Sequence, residues 1–287
     1  MTHSKNSGKP AYEERLVLFV DFLGFRDIVQ DTERDPAELS RILGALDQLR
    51  DIPTPKTSAS ETATHFSDSF VASYLINEES AVFHLLNGIA LAIIELVALG
   101  YLVRGAIVVG KLFHTKDYIV GPALIRAYEL ESKEAIYPRV IVDPEVISLA
   151  RRFYGNQNGP DLEEEYAQEF IVKDSDGKLY LQYVDWHHVV DVAGTPDENY
   201  PEYLRCLGVL IEKGLRNPDA AVKHKYLWLY DQYIASIQFF EGLDDGDRVE
   251  NEENCDLIIG LGRFEKDASQ ARKVVAKWIA AEKRRKK

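Results

Sequence analysis

The chain has 287 residues, 46% hydrophobic and 28% charged, the composition of a globular protein with one large domain or a core domain and an appendage. Its formal net charge of −13 and isoelectric point near 5.1 argue against a general nucleic-acid binder, because phosphate backbones repel such a surface, although a locally basic cleft can still hold a small anion. Two cysteines, Cys206 and Cys255, stand far apart without metal-ligand neighbours, which excludes a zinc site or disulfide framework and predicts a reducing, cytoplasmic setting.

Residues 1–13 read as a disordered N-terminus, polar and without the apolar stretch of a signal peptide. Residues 15–23 (RLVLFVDFL) form a near-continuous apolar run with one carboxylate near its end, the pattern of a strand buried on both faces. Gly24 turns the chain and a helix starts near Phe25. A second helix fits residues 36–50, with Asp35 as N-cap and Pro36 at the first helical position. Residues 52–60 are a Pro/Ser/Thr loop. Residues 62–75 predict two short strands around the polar turn Ser67-Asp68-Ser69. Residues 80–99 are a long apolar helix ending at Gly100. The apolar stretch 81–109 is broken by Asn87, Glu95, Gly100 and Arg104, so it reads as a buried helix and a strand, not a membrane span. Residues 101–109 are a strand and residues 111–120 a hairpin with it. Residues 122–134 are a helix opened by Gly121-Pro122, and residues 139–142 a last core strand.

This order predicts an α+β fold: a ferredoxin-like βαββαβ core over residues 14–145, with its helices on one face. Residues 146–287 read as a C-terminal extension. It has short strands in the acidic stretch 161–191, helices over 201–215 and 220–241, an acidic loop over 241–253, and a helix over 268–287 with a basic end.

The chemistry is concentrated in two segments. In FVDFLGF (19–25), Asp21 ends a buried strand, where a carboxylate is costly unless neutralised. Gly24 permits a tight turn, and the amides of Leu23, Gly24 and Phe25 then face an incoming phosphate, helped by the helix dipole. In HFSDSF (65–70), Asp68 sits at a turn that the predicted fold lays beside the first strand. Two carboxylates in apolar surroundings repel unless hard cations sit between them, which is the arrangement of two-metal phosphoryl chemistry. Read alone, Asp68 is more simply an ordinary turn residue.

Together these segments resemble the catalytic domain of class III nucleotidyl cyclases, which carries a strand Asp-x-x-Gly-Phe and a hairpin Asp. RGAIVVG (104–110) resembles the family's R-x-G-I-x-x-G strand, with Ala106 in place of the first glycine, and DYIVGPALIRAYELE (117–131) its next strand-turn-helix. The resemblance covers residues 16–143. It implies that Asp21, Phe22 and Asp68 hold two divalent ions, Mg²⁺ or Mn²⁺, and that Phe22, Leu23, Gly24 and Phe25 contact the nucleotide. Thr64 and Tyr118 replace the family's purine-reading Lys and Asp/Thr. The large Tyr118 leaves room for a smaller, pyrimidine base held by Thr64 or the Tyr118 hydroxyl. The helix Asn and Arg that stabilise the transition state are replaced by Ile125 and Glu129. A substitute cation is then Arg104, Lys111 or Arg126, with Arg104 preferred. Its alternative role is a salt bridge to Glu129 or Glu131.

This pattern, with the segment KHKYLWLYDQYI (223–234), is similar to the pyrimidine cyclases of bacterial Pycsar anti-phage defence. That resemblance implies a homodimer with composite active sites and UTP, or else CTP, as substrate. The cyclic product would act on a separate effector protein. The alternatives are a degenerate nucleotide-binding dimerisation module and, lacking a Gly-Gly-Asp/Glu-Glu-Phe hairpin, a palm-type polymerase. The aromatic stripe Tyr226, Trp228, Tyr230, Tyr233 and Phe239 reads as packing or dimer surface. His187 and His188, neighbours on a predicted strand, would face opposite ways and not share a metal.

Overall fold

The computed structural model describes residues 10–50, 52, 60–244 and 252–285. Strand β1 (Glu13–Phe22) is followed by α1 (Phe25–Thr32), α2 (Pro36–Arg50), β2 (Thr62–Phe66), β3 (Ser69–Leu75) and α3 (Ala81–Ala98). Then come β4 (Val103–His114), β5 (Ile119–Val120), α4 (Pro122–Lys133) and β6 (Val140–Val142). β1 lies between β3 and β4, antiparallel to both. The order β2-β3-β1-β4 is that of the expected ferredoxin-like βαββαβ sheet, and the fold is α+β.

The apolar run of β1 follows from its central place. Leu16, Leu18, Val20 and Phe22 pack into the core that holds α2 and α3. Val17 and Phe19 point the other way, onto Ala123 and Ala127 of α4. Helices therefore cover both faces of the sheet, not one as the sequence predicts, because α4 adds a second layer. α3 is long and apolar enough to cross a membrane by length and composition, and here it is a core helix, with Leu85, Leu86, Ile89 and Leu96 fully buried.

The predicted break near residue 110 does not occur. β4 continues to His114, paired through Glu13↔Leu112 and Glu14↔Lys111, and the turn falls at 115–118, where Thr115 N–H donates to the Tyr118 carbonyl (2.8 Å). Gly110 makes no turn: it is paired within the strand opposite Arg15, and a Cβ there would only touch the Ala123 methyl at ordinary contact distance (3.4 Å).

The remaining elements are α5 (Pro144–Arg152), α6 (Pro160–Glu169), β7 (Ile171–Lys173), β8 (Leu179–Leu181), α7 (Tyr200–Arg216), α8 (Ala220–Glu241), α9 (Glu252–Ile259) and α10 (Glu265–Arg285). β8 pairs with β6 at Ile141↔Tyr180, so the sheet runs on across residue 145. α5, α6 and α9 are absent from the sequence reading. α5 starts on a cap it could have used: Asp143 accepts from Glu145 N–H (3.1 Å), with Pro144 at the first position. His187 and His188 lie in a π-helical turn, His187–Val192, not on a strand, and each is bound by its own carboxylate, Asp191 (3.0 Å) and Asp185 (2.6 Å). The predicted loops 52–60 and 241–253 and the N-terminal 1–13 fall largely outside the described residues.

Arg139, at the entry to β6, ties the extension to the core. It is fully buried, forms ion pairs with Asp174 and Asp176, and lies 5.0 Å from the ring centre of Tyr137. Tyr137 stacks on Trp228 of α8 (5.3 Å), whose Nε1–H donates to Asp174 (2.7 Å). Trp228 is thus packing within one chain. Arg139→Met should lower stability in urea by about 2–4 kcal/mol, because it leaves the largely covered Asp174 carboxylate without its cation and removes the ring contacts of the buried guanidinium. Arg139→Lys should recover little, since one ammonium cannot bridge both carboxylates and stack. A loss below about 1 kcal/mol would contradict this role.

Candidate active site

The site forms where β1 ends. Its register sets Asp21 opposite Ser69 on β3 and opposite Arg104 on β4. Phe22 N–H donates to the Asp68 carbonyl (3.3 Å) and Leu23 N–H to the Leu102 carbonyl (2.8 Å), so the hairpin turn and the strand end are held together. Ser67, with φ of 54°, and Gly24, with φ of 78°, take the left-handed conformation that the two turns need. Gly24 caps α1, whose first amides lack intrahelical acceptors.

Within this frame Asp21 is crowded by charge. Ser69 Oγ donates to its Oδ1 (3.1 Å), and Arg104 Nη2 lies 3.7 Å from its Oδ2. Burial raises the Asp21 carboxyl to about 6, and the adjacent Asp68 carboxylate adds to the rise, against the opposing pull of Ser69 and Arg104. Arg104 also reaches Glu131 of α4, with Nε and Oε1 2.6 Å apart at an angle outside hydrogen-bond geometry. Glu131 is 2% exposed, and burial pushes its carboxyl up to about 7, with Arg104 opposing. Of the two partners expected for Arg104, Glu131 takes the role. Glu129 is exposed and pairs with Lys133 (2.8 Å).

The donor set fits hard divalent ions. The Asp68 carboxylate is near enough to raise Asp21, and a cation relieves that repulsion. Phe22 has a buried side chain and offers only its main-chain carbonyl. Among the described residues no group of three or more His, Cys, Asp or Glu converges as a metal cage. Mg²⁺ in phosphoryl-transfer sites needs none, since one or two carboxylates and substrate phosphates bind it.

The other sequence-singled residues lie elsewhere. The Thr64 hydroxyl is within 2.8 Å of His114 Nε2, in a chain that continues from His114 Nδ1 to Ser73 Oγ (2.8 Å) and Arg15 Nε (2.8 Å). His114 is held neutral, pushed down to about 4 by burial and the Arg15 charge. Tyr118 is 70% exposed on the β4–β5 turn, and neither Thr64 nor Tyr118 hydrogen-bonds to Asp21 or Asp68. Arg126 pairs with Asp143 and Lys111 is exposed, so Arg104 is the cation among the three that reaches Asp21. Ile125 is exposed.

The sequence reading missed Ser69 and Lys225 as members of this site, and took Glu131 only as a possible partner of Arg104. Glu131 had a legible signal: Ala123, Ala127 and Glu131 share one helix face at spacings of four, and a carboxylate on a buried stripe requires a cation. Ser69 follows only from the β1–β3 register. Lys225 lies far along the chain in α8, and its amine is close enough to Arg104, Glu131 and Asp21 for their charges to act on it.

Three solved structures are similar in fold. One is a bacterial light-regulated adenylyl cyclase, 15% identical, covering 50% of this chain and 46% of that one, TM-score 0.37. The chain therefore spans less than half the length of that protein. The adenylyl cyclase CyaB from P. aeruginosa is 14% identical, covering 60% and 94%, TM-score 0.42. Another structure of a bacterial light-regulated adenylyl cyclase is 13% identical, covering 64% and 96%, TM-score 0.40. No protein-family model matches the sequence, and no curated protein is similar to it. At this distance the likenesses carry no functional argument, and the chemistry is read from the site's own residues.

The raised Asp21 carboxyl has a stability consequence. The folded protein holds this proton more tightly than the unfolded chain does. The charge of Asp21 therefore destabilises the metal-free fold above about pH 6, and costs nothing once pH falls below the unfolded value of 3.8. Without divalent ions, Asp21→Asn should be more stable than the parent at pH 8 by about 1–3 kcal/mol. The gain should shrink towards zero near pH 4. Equal or lower stability of the variant at pH 8 would contradict the placement of Asp21 beside Asp68.

Proposed function

We propose that the protein is a class III-type nucleotidyl cyclase, acting on a pyrimidine nucleotide, UTP in preference to CTP. The observation that carries this is the pairing of Asp21 and Asp68 at the end of a buried strand, beside the Gly24 turn and the N-terminus of α1. The sequence resemblance to class III cyclases over residues 16–143 supports it. When bound, two divalent ions held by Asp21, Asp68 and the Phe22 carbonyl supply activation of the ribose 3′-hydroxyl and neutralisation of phosphate charge. The 3′-oxygen attacks the α-phosphorus as its proton leaves, the bond to the β-phosphate oxygen breaks, and pyrophosphate departs. Gly24 and Phe25 present main-chain amides to the phosphates, whereas the Leu23 N–H expected to join them is already donated to the Leu102 carbonyl. Arg104, steadied by Glu131, places a fixed positive charge next to the reacting phosphate.

The pyrimidine preference rests on Thr64 and Tyr118, which lie away from Asp21 and Asp68 of their own chain and would meet the base in the composite site of a homodimer. We assign the His114 tautomer in which Ser73, which accepts from Arg15, donates its own hydrogen to His114 Nδ1. His114 Nε2–H then donates to Thr64, an assignment inferred from the network. The Thr64 hydroxyl hydrogen is left free for a carbonyl acceptor. Uracil offers a carbonyl at the position where cytosine carries an amino group, which favours UTP. A homodimer is supported by apolar side chains uncovered on one region of sequence: Tyr118 (70% exposed), Val120 (53%), Ile125 (63%) and Tyr128 (55%). In this reading the protein works in the cytoplasm in Pycsar-type anti-phage signalling, and its cyclic nucleotide acts on a separate effector.

A second reading, a degenerate nucleotide-binding module, is favoured by one feature. Ile125 and Glu129 leave no cation at the α4 positions where the family's transition-state residues stand. Turnover decides between the two. Incubating the dimer with each of the four NTPs and Mn²⁺ should yield cyclic UMP fastest. Asp21→Ala and Asp68→Ala should each lower turnover by at least about 100-fold without unfolding the protein. Thr64→Val should narrow the UTP-to-CTP preference. ATP-only turnover would overturn the base assignment, and no turnover from any NTP would leave the degenerate module.

A further inference from the structure

A cleft of about 160 Å³ opens beside the β1–α1 turn. Leu23 and Gly24 line it together with Lys213 of α7, Asn217 just beyond α7 and Lys225 of α8. It is too small for a whole nucleotide, since sites for molecules of that size run to roughly 300–1,000 Å³. It suits one end of a nucleotide whose reacting phosphate lies at Asp21. The chain as a whole carries a net charge of −13, yet two lysines converge here. The α1 carboxylates Asp27 and Asp31 also line the cleft, and both are exposed.

Lys225 is the informative residue. It is half-buried, and among the described residues no carboxylate lies within ion-pair distance of it or of Lys213. Burial and the neighbouring Arg104 charge both push its amine down, against Asp219, Glu131 and Asp21, which support the charged form. A half-buried ammonium without a paired carboxylate is costly, and an anionic ligand in the cleft removes that cost. α1 begins at this cleft, which its cap Gly24 and its first-turn residue Asp27 line.

We infer that Lys225, assisted by Lys213, binds the terminal phosphates of the nucleotide and the departing pyrophosphate. These cations come in cis from the C-terminal helices α7 and α8, outside the region that resembles other cyclases. The inference rests on the nucleotide reading above and goes beyond it by assigning the polyphosphate to a cation of the same chain. It also gives the extension a direct part in the reaction, since α8 is the helix that Arg139, Tyr137 and Asp174 hold against the sheet.

Calorimetry of inorganic tripolyphosphate binding to the full chain tests this, with Mn²⁺ present. Lys225→Met, which keeps the aliphatic stem, should weaken binding about 10- to 100-fold, as expected for loss of a charged hydrogen-bond donor. Lys225→Arg should stay within about threefold of the parent, and Lys213→Met should have a smaller effect than Lys225→Met. In the NTP assay Lys225→Met should raise KM and weaken product inhibition by pyrophosphate by similar factors. Parent-like tripolyphosphate affinity in a folded Lys225→Met protein, or no binding by the parent, would overturn the inference. Turnover with KM unchanged in Lys225→Met would overturn it while leaving the cyclase reading intact. Lysine-dependent tripolyphosphate binding by a protein that turns over no NTP would sink the cyclase reading and keep the anion site.

Discussion

Two carboxylates, Asp21 and Asp68, are held together at the end of a strand buried on both faces, and the surrounding structure is arranged around that repulsion. The register of β1 against β3 and β4 gives Asp21 one hydroxyl neighbour, Ser69, and one cationic neighbour, Arg104. Arg104 is in turn shared with Glu131, a carboxylate on the buried stripe of α4. The seat of α4 on the sheet and the charge state of the site are thus linked through one guanidinium. Burial leaves Asp21 near 6 and Glu131 near 7, values poised to respond when positive charge arrives.

The scaffold makes this crowding sustainable. β1 is central and fully packed, so its end cannot relax away from the hairpin turn without breaking the Phe22-to-Asp68 main-chain bond and the β1–β3 ladder. The left-handed residues Gly24 and Ser67 form the two turns. The extension adds a third wall. The sheet passes through β6 into β8, and the Arg139 cluster fixes α8 to it, which brings Lys225 within electrostatic range of Asp21 and Glu131.

Much of the core could be read from sequence because its signals are local. The apolar run of β1, the Asp35-Pro36 start of α2 and the Ser-Asp-Ser turn each announce themselves within a few residues, and the α2 bounds are those of the structure. What escaped was set by distant partners. The break expected near Gly110 took the glycine for a turn, whereas the ladder with β1 carries on through it to Leu112. α5 and α6 carry so much charge that their short buried stripes, such as Val146, Leu149 and Ala150, do not dominate the local pattern. At the site, the two aspartates were legible from their turns, but Ser69 requires the strand register and Lys225 requires the path of the whole extension. Thr64 was singled out by position alone, and its place in the Arg15–Ser73–His114 chain appears only in three dimensions.

The central claim is that Asp21 and Asp68 together bind divalent ions in the presence of nucleotide. The most direct test is the stoichiometry of Mn²⁺ bound to the full chain, measured by electron paramagnetic resonance with a non-cyclisable UTP analogue present. The account predicts two ions per chain, with loss of tight binding in Asp21→Asn and in Asp68→Asn. Binding of no Mn²⁺, or the same stoichiometry in both variants, would contradict it.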